Sequence, residues 1–90
     1  MSRSSSRLRY KFLCKLLKEE RIDKGITLRD LASKVDISYS ELWKIEDGDR
    51  TINPIQFLDL CDAIEIDPFP LLLQAATTIP EHRKKKPKKV

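Results

Sequence analysis

The chain has 90 residues, of which 36% are charged and 40% hydrophobic, and its formal net charge is +4. This length corresponds to one domain with a single modest core. No apolar run reaches the roughly 18–20 residues of a membrane-spanning helix. The N-terminal segment also lacks the apolar stretch of a secretory signal. The composition therefore predicts a single-domain cytoplasmic protein without a membrane partner.

Positive charge is concentrated at the two ends of the chain. Residues 1–24 contain eight Lys or Arg and three acids, residues 25–78 contain four and ten, and residues 79–90 contain six and one. The three segments therefore carry +5, −6 and +5, which gives the total of +4. A basic chain is expected to bind an anionic partner, and here the ends are its expected contact regions.

The first predicted elements are an arm and a helix. Residues 1–7 offer little that can pack, and we predict a flexible basic arm followed by a domain over residues 8–76. Apolar residues recur at helical spacing, namely Leu8, Phe12, Leu13, Leu16 and Leu17. This helix is expected to end near Asp23, because Gly25 can take a left-handed cap.

Two short helices follow, and each has a clear start signal. Thr27 and Ser38 are N-cap residues with an acid three positions later, as in a capping box. The second helix is expected to end at Lys34 or Val35, with Asp36 in a left-handed turn. The third is expected to end at Gly48.

The last two predicted helices begin at "NP" and "DP", where Asn53 and Asp67 are N-caps and a proline occupies the first turn. Residues 77–90, "TTIPEHRKKKPKKV", are predicted to be a disordered basic tail. No strand pattern is present. The sequence therefore predicts an all-α, compact five-helix domain between two basic arms.

Residues that carry chemistry are few. Cys14 and Cys61 lie in apolar helical patterns without zinc spacing, so we expect buried free thiols. The sequence contains no nucleophile–base constellation and no phosphate-binding glycine loop. We therefore expect neither an enzyme, nor a cofactor, nor a metal site.

The third helix has two distinct faces at 100° per residue. Leu42 and Ile45 fall on the core side, and Glu46 lies at its boundary, where a carboxylate requires a partner. The outward face carries groups suited to contacts, which are Tyr39, Ser40, Trp43 and Lys44.

The segment "RIDKGITLRDLASKVDISYSELWKIEDG" resembles the phage repressor/Cro (XRE-type) helix-turn-helix family, and "NPIQFLDLCDAIEID" resembles that family's fourth helix. The positions in register are Arg21, Gly25, Leu31, Ala32, Val35, Ser38, Leu42, Ile45, Glu46 and Gly48. The resemblance implies a lambda-repressor-like domain that binds operator DNA as a two-fold dimer, with the third helix in the major groove. It also implies that Arg21 and Glu46 form an ion pair.

The resemblance places the base-reading residues at Tyr39, Ser40 and Lys44, with Trp43 close by. Contacts to phosphate are expected from helix starts, the following loop and both arms. The expected phosphate-binding residues are Thr27, Ser38, Arg50, Thr51, Arg7, Arg9, Lys11, Arg83, Lys84, Lys85 and Lys86.

Three departures from the family pattern weaken DNA binding by the core alone. Leu28 replaces a common glutamine that touches phosphate, Asp47 and Asp49 bring negative charge, and Trp43 is bulky for a groove. An alternative is a protein-interaction module on the same scaffold, with Tyr39 and Trp43 as anchors. An antitoxin or restriction-controller regulator is equally compatible with the pattern, and the tail is either a DNA contact or a solubilising end.

The preferred interpretation is a sequence-specific transcription regulator of a bacterial or phage-infected cell. It is expected to be nucleoid-associated, with double-stranded DNA and a second copy of the chain as partners.

Overall fold

The computed structural model describes residues 3–78, with side chains from Arg7 onward. Five helices follow one another: α1 (Arg3–Asp23), α2 (Leu28–Lys34), α3 (Tyr39–Glu46), α4 (Pro54–Ile64) and α5 (Pro68–Thr77). No strand occurs within this part of the chain, and the all-α, five-helix prediction is confirmed. None of the helices described is both long and apolar enough to cross a membrane.

Side-chain caps begin the four later helices, as the sequence indicates. Thr27 Oγ1 accepts a hydrogen bond from the Asp30 N–H at 3.0 Å, and Ser38 Oγ accepts one from the Glu41 N–H at 3.2 Å. The reciprocal capping box, however, lies at α4. There Asn53 Oδ1 accepts from the Gln56 N–H at 2.7 Å, and Gln56 Oε1 accepts from the Asn53 N–H at 3.0 Å.

The helix C-termini use left-handed residues, but not where the turn chemistry predicts all of them. Gly25 and Gly48 have φ of 72° and 81°, as expected. The prediction for Asp36 is wrong, because α2 ends in an extended Val35 (φ −125°, ψ 165°) that needs no left-handed residue. Glu65 takes that conformation instead, at φ 66°, where its N–H bonds the Asp62 carbonyl and closes α4.

The N-terminus differs from the predicted arm. Helix α1 begins at Arg3 rather than at Leu8, so residues 3–7 are helical. The segment contains no proline or glycine, and serine and arginine are both tolerated in helices. Each added residue extends an existing hydrogen-bond ladder, which is favourable once the helix is nucleated.

The core lies where all five helices meet. Its most buried members include Leu31, Leu42 and Ile64, which are 2%, 0% and 1% exposed. Cys14 and Cys61 are buried free thiols, as expected. Burial raises the pKa of the Cys61 thiol to about 11. Among the residues described, no cluster of His, Cys, Asp and Glu could hold a metal ion.

An ion pair fastens α3 to α1. Arg21 Nε and Nη2 donate to Glu46 Oε2 and Oε1 at 2.6 and 2.9 Å. Arg21 Nη1 donates to the Ile26 carbonyl at 2.7 Å, so one guanidinium also holds the loop before α2. The two side chains are 11% and 10% exposed. The expected pair is therefore present, largely buried and bidentate.

Arg21→Met leaves the Glu46 carboxylate buried without its partner. We expect the free energy of unfolding, measured by urea denaturation, to fall by about 3 kcal/mol, and the double variant Arg21→Met/Glu46→Leu to regain most of it. The control is Arg50→Ala, which breaks the exposed pair between Arg50 Nη2 and Glu41 Oε2 (3.1 Å) and should cost less than about 1 kcal/mol. Equal losses in Arg21→Met and Arg50→Ala would contradict the prediction.

Candidate nucleic-acid interface

The surface of interest is the outer side of α3. Its inner side is fixed in the core by Leu42 and Ile45, which are 0% and 3% exposed. Ala32, a small residue of α2, is half-buried against the same core. A small residue at a helix crossing allows close packing, so α2 and α3 form a compact unit with α3 outermost.

All four predicted base-reading residues lie on this exposed side. Tyr39 and Trp43 are 43% and 58% exposed, and Ser40 and Lys44 are exposed beside them. Two of the four are aromatic rings, which proteins usually bury. The structure thus brings the predicted readers together on one face; whether they contact DNA stays a prediction.

Thr27 and Ser38 lie at the starts of α2 and α3. Each hydroxyl oxygen accepts a backbone N–H as a cap. A hydroxyl that accepts in this way still has a proton to donate. Both residues therefore remain able to contact a phosphate oxygen while holding their helices.

The loop after α3 carries Arg50 and Thr51, both exposed. Arg50 Nη2 pairs with Glu41 Oε2 at 3.1 Å, so a carboxylate already neutralises this cation in part. The Arg50 carbonyl accepts a hydrogen bond from the Tyr10 hydroxyl at 2.6 Å. Burial, and then the neighbouring Cys14 thiol, raise the pKa of Tyr10, so its hydroxyl stays a donor.

The three cations assigned to an N-terminal arm belong to α1, because the helix extends to Arg3. Arg9 is half-buried, and its Nε donates to the Thr78 carbonyl at 3.3 Å, which ties α1 to the end of α5. Lys11 rests its stem on Gly48, with Cγ only 2.9 Å from where a Cβ would stand. Arg7 is exposed. The arm as a carrier of these residues is therefore wrong, and their phosphate contacts stay predictions.

The departures from the family pattern have clear positions. Leu28 is half-buried and packs against the core, so residue 28 offers no donor. Asp47 and Asp49 are exposed at the end of α3. The tail cations Arg83, Lys84, Lys85 and Lys86 lie outside the described residues.

One neighbour of the readers has no signal in the sequence. Arg29 of α2 places its guanidinium carbon 4.8 Å from the centre of the Tyr39 ring. The two residues belong to different helices, so no periodicity or motif relates them. Their contact follows only from the way α2 packs on α3.

The family can now be assigned. The helix-turn-helix family model matches residues 17–71. The chain belongs to the XRE-type helix-turn-helix family. Members are DNA-binding transcription regulators, and this helix-turn-helix protein is one of them.

Solved structures agree with this assignment. An XRE-family like protein from Pseudomonas syringae pv. tomato is 36% identical, with a TM-score of 0.72 over 81% of this chain and 89% of that one. The clp gene regulator ClgR from Corynebacterium glutamicum is 32% identical, with a TM-score of 0.68 over 77% of this chain and 88% of that one. No curated protein sequence matches the chain significantly.

Proposed function

We propose that this helix-turn-helix protein is a sequence-specific transcription regulator that binds a palindromic operator as a dimer, with α3 in the major groove. The observation that carries the proposal is the division of α3 into two faces. The inner face is fixed by apolar packing and by the buried Arg21–Glu46 pair. The outer face presents four contact-forming side chains, and a major groove about 12 Å wide admits one such helix.

Each reader has a definite chemical capacity. Lys44 is a donor suited to guanine O6 and N7, and Ser40 bonds either a donor or an acceptor. Tyr39 offers a ring for a thymine methyl group and a hydroxyl for a phosphate. Because a single hydroxyl discriminates weakly between bases, Lys44 is proposed to contribute most of the hydrogen-bonded specificity.

Lys44→Ala should lower affinity for the selected operator about tenfold and relax preference at one base pair, since a good base contact is worth about 1–3 kcal/mol. In-vitro selection from a random DNA library provides the operator, its symmetry and its base preferences. Lys24→Ala is the matched control. It removes an exposed cation whose Nζ donates to the Glu65 carbonyl at 2.9 Å, at the end of α4.

Unchanged preference in Lys44→Ala would contradict the reader role. A wild-type chain that selects no DNA, even at low salt, would overturn the proposed function as a whole.

The charge distribution supports a second proposal, that the basic ends supply much of the affinity. Residues 25–78 carry −6, whereas residues 1–24 and 79–90 carry +5 each. Carboxylates near the readers repel phosphate, and the repulsion is screened by salt. The core would then supply specificity, while Arg7, Lys11 and the tail contact the backbone.

Deletion of residues 80–90 should reduce the salt dependence of DNA binding. Each phosphate contact contributes roughly 0.9 to the negative slope of log K against log salt, so loss of several tail contacts lowers the slope by several units of charge. Fluorescence anisotropy from low to high salt measures this slope. A slope that is identical with and without residues 80–90 would leave the tail as a solubilising end only.

The proposed dimer interface includes the exposed side of α5. Phe69, Leu72 and Leu73 are 73%, 41% and 64% exposed. Leu71, which exceeded the expected needs of the core in the sequence, is 4% exposed and belongs to that core. An apolar groove of about 370 Å³, lined by Tyr10, Leu13, Ile52, Asn53, Pro54, Phe57, Leu58 and Leu72, continues this surface. A two-fold pairing of the surface with itself would cover it.

Leu73→Glu should weaken both self-association and operator affinity, because a carboxylate would be buried in the interface without a partner. Sedimentation velocity over a range of concentrations measures the first effect and operator binding the second. Gln74→Glu adds the same charge at the next exposed position and serves as the control. A wild-type chain that is monomeric at high concentration and on DNA would refute the dimer.

One observation favours a second function, a protein-interaction module. Trp43 is 58% exposed, and aromatic anchors are common at protein interfaces. Titration of nonspecific DNA at low and high salt, with wild type and Trp43→Ala, separates the two functions. DNA binding at low salt that weakens in high salt supports the regulator.

A further inference from the structure

The contact between Arg29 and Tyr39 joins α2 to the reading face of α3. Tyr39 is the first residue of α3, and the Arg29 guanidinium carbon lies 4.8 Å from its ring centre. Both side chains are exposed. The contact therefore lies on the surface that DNA would approach, and not in the interior of the fold.

Local stability does not account for an arginine at this position. Residue 29 is in the first turn of α2, where the positive end of the helix dipole disfavours a cation. An exposed cation–π contact also adds little to folding. Leu28, next to it, packs against the core and has no donor for DNA. Arg29 is thus better explained by what it does to Tyr39 than by what it does for α2.

Stacking restricts the Tyr39 ring while leaving both residues available to a ligand. The planar face of a guanidinium lies on the ring, and its N–H donors at the edge remain free to bond. A side chain held in one orientation before binding loses less freedom on binding and contacts fewer alternative partners. The stack therefore prepares one ring orientation out of several rotamers.

We propose that Arg29 is a positioning residue for base reading, which holds the Tyr39 ring in the orientation used on DNA. This inference rests on the proposed function, because it assigns Arg29 a part in the reading by α3. Arg29 acts through Tyr39, so loss of its planar group changes which base is preferred and not only how tightly DNA is bound.

The test compares Arg29→Lys, which keeps the charge but loses the plane, with Tyr39→Ala in the full-length chain. In-vitro selection with wild type and Tyr39→Ala identifies the base pair that depends on the ring. At that base pair, Arg29→Lys should reduce the preference about two- to fivefold, the scale of an exposed cation–π contact. Its salt slope should match that of wild type, because the charge is kept.

Lys34→Ala is the matched control. Lys34 belongs to the same helix but lines an acidic hollow with Asp36, Asp59 and Asp62. Its loss should leave the preference unchanged. In a Tyr39→Ala background, Arg29→Lys should have no further effect on preference, and thermal melts followed by circular dichroism verify that each variant is folded.

Two results overturn the inference while the proposed function stands: wild type selects a sequence and Arg29→Lys keeps the full preference, or the effects of the two substitutions add. Wild type that selects no sequence overturns the proposed function and the reading role together. Coupling between Arg29 and Tyr39 in urea unfolding of the free protein remains measurable in that case, and it separates a failed reader from an absent stack.

Discussion

The Arg21 guanidinium lies at the junction of three parts of the molecule. It bonds both oxygens of Glu46 at the end of α3 and the Ile26 carbonyl before α2, and it projects from α1. A buried charge without a partner is costly, so these parts cannot shift independently. The angle at which α3 leaves the core depends on this one network, and the exposed readers inherit their positions from it.

The division of α3 explains how one short helix can combine stability with recognition. Leu42 and Ile45 give its inner face to the core, while the outer face makes little contribution to folding and is free to specialise. The acids near the outer face limit the affinity of the core for DNA. An interface of this kind separates the groups that choose a sequence from those that supply general attraction.

Local chemistry is what the sequence conveys well. The caps at Thr27, Ser38, Asn53 and Asp67, like the turns at the two glycines, follow from groups a few residues apart. The face of α3 that holds the candidate readers also follows from helical period alone. These signals sufficed for the five helices and for the exposure of the reading face.

What the sequence could not convey depends on packing or on the absence of a stop signal. Glu65 is left-handed because α4 closes there, and no residue type announces it. The stack of Arg29 on Tyr39 and the bond from Arg9 to the Thr78 carbonyl join separate helices. The early start of α1 was missed because serine and arginine neither favour nor forbid a helix strongly.

The hydrogen bond from Tyr10 to the Arg50 carbonyl has a consequence for the entropy of binding. The loop after α3 is held at its backbone by this bond and closed by Gly48, against which the Lys11 stem packs. A loop that is ordered before it meets a ligand loses little conformational freedom on contact. Any contact that this loop makes with a phosphate is therefore made by a backbone already in place, and more of its interaction energy appears as affinity.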